Sequence, residues 1–320
     1  MYQLSVLLIA YNNEKYIKET LDSLIKQKTS FKYEIVVGDD CSTDLTFKII
    51  SEYAKKHPYL FNIQQNKSQL GILNNFKTTL DRCSGEFVFN FDGDDIVKDE
   101  FALEKLAHVL KNNSNLGFVD SGFDCYISEE NALIKFWNKK NIVATKKEYK
   151  KRMLLGQVIP VGICFRKDLM YKFVDFEYFI DKKITIEDYP VLVDMVMNCD
   201  FERINESLHI YRLHSASYSN TKSFDKLFFL SEQMLNLFNY FKLKYKFPEE
   251  LNESYLELHY KQLLFNCGKN SQKKLGKKSF NSIKKKSFRD IIYYLASQYP
   301  LLLKIVLVYK KTYLKFMKPS

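Results

Sequence analysis

Asp92-Gly93-Asp94-Asp95 puts three carboxylates within four residues, directly after the apolar run Glu86 to Phe91. Like charges gathered this closely repel one another, so the arrangement calls for a cation. Hard ions such as Mg²⁺ and Mn²⁺ take oxygen ligands and often bind through one or two carboxylates plus substrate phosphates. Gly93 permits a turn that could aim two of the acids at one point. Taken alone, the segment could instead be an Asp-rich turn capping the next helix. Two further acidic pairs occur at Asp39-Asp40 and Glu187-Asp188. A carboxylate with a like-charged neighbour can have its pKa moved toward general-base work. Tyr211-Arg212-Leu213-His214 adds a guanidinium suited to phosphate and an imidazole that can ligate or donate. Neither a Gly-x-Gly-x-x-Gly loop nor a Gly-Lys-Ser/Thr loop is present, which leaves a metal to hold any phosphates.

The pattern around these residues says what must position them. Short β-branched or aromatic runs alternate with amphipathic stretches, the pattern of an α/β sheet with helices on its faces. Leu4 to Ala10 reads as a buried strand, followed by a helix from about Glu14 to Gln27 with Asn12 or Asn13 as its cap. Tyr33 to Val37 is a second strand, and Ser42 or Thr43 can cap the helix that His57-Pro58 should stop. Leu60 to Gln64, a helix through Ile72, Phe76 and Leu80, and the strand Glu86 to Phe91 continue the alternation. A helix from about Asp99 to Lys111 and a strand at Leu116 to Asp120 follow. Ligands of open α/β sheets bind beyond the carboxyl ends of the strands. Tyr11-Asn12-Asn13, Gly38-Asp39-Asp40 and the Asp92 cluster each follow a strand, so they should meet at one edge.

Charge distribution narrows the partners. The net charge is +11, but residues 1–220 carry 29 basic and 31 acidic side chains against 20 and 7 in residues 221–320. The front of the chain is therefore no basic nucleic-acid surface, and no nucleic-acid partner is expected. Six cysteines are scattered singly, without zinc-ligand spacing, and read as reduced thiols. The opening residues lack the charged start and the length of a signal peptide, and no segment reaches ~20 apolar residues without a charge or proline. These features lead us to expect a cytoplasmic protein.

Family 2 glycosyltransferases are what the sequence resembles, and the resemblance is carried by particular runs. They are Ser5 to Glu14 (SVLLIAYNNE), Leu21-Asp22-Ser23-Leu24 to Gln27, Glu34 to Asp44 (EIVVGDDCSTD) and the acidic cluster. Asn66, Leu70-Gly71, Asn75-Phe76 and Gly85-Glu86-Phe87 look like the branch that builds surface polysaccharides. Gly38 and Cys41 depart from the family pattern, which more often has an apolar residue and a Gly or Asn there. The resemblance implies a GT-A fold, a Rossmann-like nucleotide-binding sheet with helices on both faces, and an inverting transfer from a nucleotide-diphosphate sugar. The donor it implies is a UDP-sugar and the acceptor a hydroxyl of a glycan or lipid-linked molecule.

The same resemblance assigns roles. Tyr11 would stack on the base and Asp40 would accept its hydrogen bond with Asp39 nearby. Ala10, Asn13, Asn75, Asp92, Gly93 and Arg212 complete the donor-binding set. Asp94, Asp95 and His214 would hold Mn²⁺ or Mg²⁺, and Asp188 would be the base; its plain reading is a helix N-cap, and one residue can do both jobs. Gly156 to Arg166, including Pro160 and Gly162, lies where the family meets its acceptor.

We expect a catalytic domain over residues 1–220, with donor binding in 1–100 and the acceptor side and base in 101–220. A basic, mainly helical region should fill 221–320. Lys273, Lys274, Lys277, Lys278, Lys284 to Lys286 and Arg289 precede the apolar, tyrosine-bearing stretch Ile291 to Tyr309. That combination suits an anionic membrane surface, with peripheral association at the inner face of the plasma membrane; packing on the catalytic domain is the alternative. The rival classes are a sugar nucleotidyltransferase, whose Gly-rich basic loop is missing here, and a non-catalytic binding protein.

Overall fold

The computed structural model describes residues 2–158, 161–215 and 223–299. Pro160 and the stretch from Pro300 to Tyr309 lie outside the described residues. The chain divides into two compact units, Met1–Ser217 and Tyr218–Ser320.

In the first unit β1 (Leu4–Ala10), α1 (Ile17–Ile25), β2 (Tyr33–Asp39), α2 (Thr46–Lys56), β3 (Phe61–Gln65), α3 (Ile72–Arg82) and β4 (Phe87–Asp92) alternate as expected. Then come β5 (Ile96–Val97), α4 (Ala102–Asn112), β6 (Leu116–Ile127), β7 (Ala132–Ile134), α5 (Lys139–Ile142), α6 (Lys146–Leu154) and β8 (Ile163–Arg166). The unit closes with α7 (Lys167–Phe173), α8 (Phe176–Asp181), α9 (Asp188–Asn198) and β9 (Asp200–Leu213). One mixed sheet has the order β3-β2-β1-β4-β8-β6-β9-β5, with β7 on β6.

Alternation along β1 explains the layers. Leu4, Val6, Leu8 and Ala10 share a core with Ile17, Leu21 and Leu24 of α1 and Leu103, Leu106 and Leu110 of α4. Leu7, also fully buried, points the other way, toward the face on which α3 packs against β1 and β2. Each fully buried aliphatic side chain of this kind contributes roughly 1.5–3 kcal/mol. Strands β1 to β4 are mutually parallel, and β1 pairs with β2 and β4 so that Ala10 faces Asp39 and Ile9 faces Asp92. The carboxyl ends of three strands therefore finish side by side.

The second half of the sheet departs from simple alternation. β8 runs antiparallel to both β4 and β6, β6 is parallel to β9, and β5 is antiparallel to β9. β6 extends seven residues beyond the expected Asp120 end, to Ile127.

The caps also differ from expectation. α1 begins at Ile17 after Tyr16 with no side-chain cap, and Asn12 and Asn13 belong instead to the loop after β1. α2 begins at Thr46 after Leu45, and it is Asp44, not Ser42 or Thr43, that accepts from the Thr46 N–H at 2.9 Å, while the Ser42 hydroxyl donates to Asp39. α4 starts three residues later than the expected Asp99.

The second unit holds α10 (Phe224–Tyr245), α11 (Glu249–Lys269), α12 (Lys273–Ser282) and α13 (Phe288–Gln298), with α11 packed on each of the others. Phe238 stacks on Tyr255 at 3.7 Å between ring centroids. Gly276 lets α12 approach α13, since a Cβ there would lie 2.3 Å from Ser297 Oγ. Among the described residues no helix is long and apolar enough to cross a membrane.

Gly38 shows why one departure from the family pattern is dictated by packing. A Cβ at this position would lie 1.9 Å from Thr79 Oγ1 and 2.7 Å from Asn75 Oδ1. Gly38→Ala is therefore expected to lower stability by about 1–3 kcal/mol, with Thr79→Ala recovering part of the loss in the double variant. Chemical denaturation of the four proteins checks this; an unchanged midpoint for the single variant contradicts the close packing of α3 on β2.

Candidate active site

The loop after β1 is tied to the loop after β2. The Asp40 N–H donates to the Ala10 carbonyl at 2.9 Å, and the Asn12 N–H donates to Ser42 Oγ at 2.9 Å. The Thr43 N–H donates to Asn12 Oδ1, and the Asn13 N–H to Thr46 Oγ1. Asn13 Oδ1 accepts from the Tyr11 N–H at 2.8 Å, which holds the half-exposed Tyr11 ring at the strand end. Asn12 and Cys41 both have positive φ, 51° and 64°. A left-handed residue at Cys41 accounts for the Gly or Asn more usual there.

Asp39 and Asp40 are buried, and each accepts three hydrogen bonds. Asp39 takes them from the Ser42 N–H and hydroxyl and from Gln65 Nε2. Asp40 takes them from Asn66 Nδ2 and the Leu70 and Gly71 N–H groups. A carboxylate has about four lone-pair positions, so each retains one for a ligand donor. Asn75 is 2% exposed, with its amide donating to the Gly38 carbonyl and accepting from Asn66. It thereby braces β2 against the 66–71 loop.

The acidic cluster is built by three elements. The Gly93 N–H donates to the Ile9 carbonyl, and Thr20 Oγ1 of α1 donates to the carbonyls of Gly93 and Asp95 at 3.1 and 2.7 Å. Gly93 is not at positive φ. What it supplies is room, since a Cβ would lie 3.0 Å from Asn13 Oδ1 and 3.2 Å from the Ile9 carbonyl oxygen.

From the other side comes β9. Ile96 pairs with Ile210 in antiparallel register, which carries Arg212 opposite Asp94. The Arg212 N–H donates to Asp95 Oδ1 at 2.8 Å, its Nε to the Asp94 carbonyl at 2.9 Å and its Nη2 to Glu19 at 2.6 Å. The guanidinium also lies over the rings of Tyr16 and Tyr126. Arg212, expected to bind phosphate, also braces the acidic turn through these bonds.

One carboxylate oxygen each from Asp92, Asp94 and Asp95 lies within 4.8 Å of the others, and His214 Nε2 lies 2.9 Å from Asp94 Oδ2. Asp92 thus joins Asp94 and Asp95 in the candidate metal set. Burial, then the charges of Asp94 and Asp188, push the Asp92 carboxyl up to about 7, and Asp95 is raised by the same kind of environment. Clustered hard oxygen donors, made costly by burial and mutual repulsion, are the donor set a divalent cation relieves. The residues present fit such an ion.

α9 brings the second acidic pair to the same cleft. Glu187 precedes the helix and Asp188 is its first residue, accepting from the Tyr189 N–H at 2.6 Å. Glu187, at the N-cap position, makes no side-chain cap bond. A cavity lined by Asn90, Ile163, Phe165, Glu187 and Asp188 separates α9 from β4 and β8. Burial raises the pKa of both acids, and the charges of Asp188 and Asp92 raise Glu187 further. Asn90, two residues before Asp92 on β4, lines this cavity with Asp188, which sets the two elements, distant in sequence, side by side.

Several contributors were not singled out from the sequence. Tyr16, Glu19 and Thr20 lie along one side of the start of α1, and the Tyr16 ring is 4.4 Å from that of His214. Their polar i, i+3, i+4 spacing on an otherwise core-facing helix was the available signal. Asn90 is another, its Oδ1 buried without a hydrogen-bond partner beside the acidic pair. Its signal was a polar residue inside the apolar run Phe87 to Phe91. Of the segment after Arg212, Ala216 and Ser217 lie outside the described residues.

Comparison with known proteins agrees with this architecture. A glycosyltransferase of Haemophilus influenzae, itself uncharacterised, is 29% identical over 225 residues, covering 68% of this chain and 67% of that one. Curated mycobacterial relatives of unknown function are 40% identical over 107 residues, and there the chain spans 31% of their length. The crystal structure of Staphylococcus aureus TarS 1–349 in complex with UDP-GlcNAc superposes with a TM-score of 0.56 at 17% identity, over 92% of this chain and 90% of that one. A mannosyltransferase from Pyrobaculum calidifontis in complex with GDP-Man and Mn²⁺ gives 0.51 at 14% identity, over 96% and 86%. These two likenesses establish the GT-A fold class. The sequence also matches the family described as glycosyl transferase family 2 over residues 5–172, more than half its length, and the protein therefore belongs to that family.

Proposed function

We propose that the protein is an inverting glycosyltransferase that moves a sugar from a nucleotide-diphosphate donor, a UDP-sugar, to a hydroxyl of a glycan or lipid-linked acceptor in cell-surface polysaccharide synthesis. The observation that carries the reading is the convergence of the strand ends of β1, β2 and β4 with His214 and Asp188 around one acidic cleft. The TarS structure that shares the fold holds UDP-GlcNAc, which supports a uridine donor.

In this reading residues 1–100 bind the donor and 101–220 supply the acceptor side and the base. Tyr11, exposed at the end of β1, stacks on the nucleotide base, and the remaining lone pairs of Asp39 and Asp40 accept from it. Ala10, Asn13, Asn75 and Gly93 shape this end of the sheet. Asp92, Asp94, Asp95 and His214 would hold Mn²⁺ or Mg²⁺, which when bound supplies Lewis-acid neutralisation of the diphosphate. Asp188 removes the proton of the acceptor hydroxyl. That oxygen forms the new bond at the anomeric carbon from the face opposite the leaving group, and the electron pair of the old bond departs with the diphosphate. A raised Asp188 pKa makes it a stronger base, and burial with the charges of Asp188 and Asp92 raises its neighbour Glu187 as well.

Three measurements follow. A saturating divalent ion with UDP-sugar should raise the melting temperature of the wild type, since ligand at a hundred times its Kd adds about 2.7 kcal/mol. Asp94→Ala should abolish the metal-dependent part; donor turnover persisting in excess EDTA overturns the metal assignment. Asp188→Asn should bind donor as the wild type does yet lose transfer by about 10²–10⁴-fold. Wild-type transfer by that variant places the base elsewhere.

The third concerns pH in metal-free protein. Asp92 has a folded pKa of about 7, against an unfolded value of about 3.9. The folded state therefore holds its proton more tightly than the unfolded state does. The resulting stability is complete below the unfolded value and is lost as pH rises toward 7. Asp92→Asn removes this dependence, so its stability relative to wild type should climb between pH 5 and 8. A flat difference across that range contradicts the raised pKa.

A further inference from the structure

α13 is amphipathic the wrong way round for a helix that only completes a core. Its inner face, against α11 and α12, carries Tyr293, Tyr294, Ala296 and the fully buried Ser297. Its outer face carries Phe288, Ile291, Leu295 and, just past its end, Tyr299, which are 78, 41, 38 and 62% exposed. Spacings of three and four residues put these side chains on one stripe. The helix is firmly built, with a full capping box in which Ser287 and Asp290 serve each other's backbone N–H groups. A stable helix that turns its large apolar side chains away from the described residues of its unit presents a face suited to burial.

Charge says what that is. Lys284, Lys285 and Lys286 lead directly into the cap, and Arg289 is the only charged residue of α13 besides the buried Asp290. Lys273, Lys274, Lys277 and Lys278 are exposed on α12, which packs beside α13. Some of this charge is used internally, as Lys284 pairs with Glu253. Residues 221–320 nevertheless hold 20 basic side chains against 7 acidic ones. We propose that the outer face of α13 is an interfacial docking surface for an anionic lipid bilayer, with Phe288, Ile291, Leu295 and Tyr299 entering the headgroup boundary and the flanking lysines on its phosphates. The inference goes beyond the transfer reaction and does not depend on it.

The test is sedimentation of the full-length protein with phosphatidylglycerol-containing vesicles and with phosphatidylcholine vesicles at low salt. The comparison variant is Ile291→Glu with Leu295→Glu, whose sites are exposed and whose fold is checked by an unchanged melting temperature. The wild type should bind only the anionic vesicles, less at high salt, and the variant should bind at least about tenfold more weakly. Wild type that ignores anionic vesicles, or a variant that binds them as well, overturns the proposal. So does a variant that, without vesicles, changes the protein from dimer to monomer, because the face would then be covered by a second copy. Donor binding measured on the same samples keeps this outcome separate from that of the transferase reading.

Discussion

The site depends on one short antiparallel pairing, Ile96 and Val97 of β5 with Ile210 and His209 of β9. It is a two-residue ladder between segments more than a hundred positions apart, yet it decides where the acidic turn sits. Without it Asp95 would lose the Arg212 N–H and the turn would lose the guanidinium on the Asp94 carbonyl. His214 would not come within reach of Asp94. The ladder is held by a core that is costly to open: β9 is backed by β6 along most of its length, and Leu208 and Phe123 are fully buried. The strain of gathering three acids is thus carried by ordinary apolar packing and backbone hydrogen bonds.

The same economy appears at the ends of β1 and β2. Asp39 and Asp40 are buried acids whose oxygens mostly receive donors from the protein itself, which satisfies them in the absence of ligand. They fix the 39–42 and 66–71 loops around the cleft and keep only a small residual acceptor capacity. The acids of the 92–95 turn and the 187–188 pair are arranged the opposite way. Burial and neighbouring carboxylates raise Asp92, Asp95 and Glu187, and burial raises Asp188, so their environment is completed by something positive or by a proton.

The first four strands and their helices were legible in the sequence because each obeys a simple period: alternating or continuous apolar runs for strands, and Ile17, Leu21 and Leu24 or Ile72, Phe76 and Leu80 for helices. The strand-end rule then brought Tyr11, Asp39, Asp40 and Asp92 to one edge, where the structure has them. The second half was less legible. The full length of β6, its parallel pairing with β9 and the reversal at β8 are set by tertiary contacts between apolar segments, on which local period is silent. Caps were misread because Asn13 and Ser42 found loop partners that satisfy them better than a helix end would. Arg212 was singled out from residue type and Asn75 from the family resemblance, and the bracing bonds both make within the site were not foreseen. Such bonds go with burial, which cannot be read at single positions in a sequence.

The central claim is that the carboxylates of 92–95 hold a divalent ion against a nucleotide diphosphate at the ends of β1, β2 and β4. Anomalous X-ray diffraction from crystals grown with Mn²⁺ and UDP tests it most directly. The account predicts one strong manganese peak within coordination distance of Asp94 and at least one other acid of the cluster, bridged to the diphosphate, with uracil beside Tyr11. Uridine diphosphate bound there with no manganese, or manganese bound only elsewhere, would contradict it.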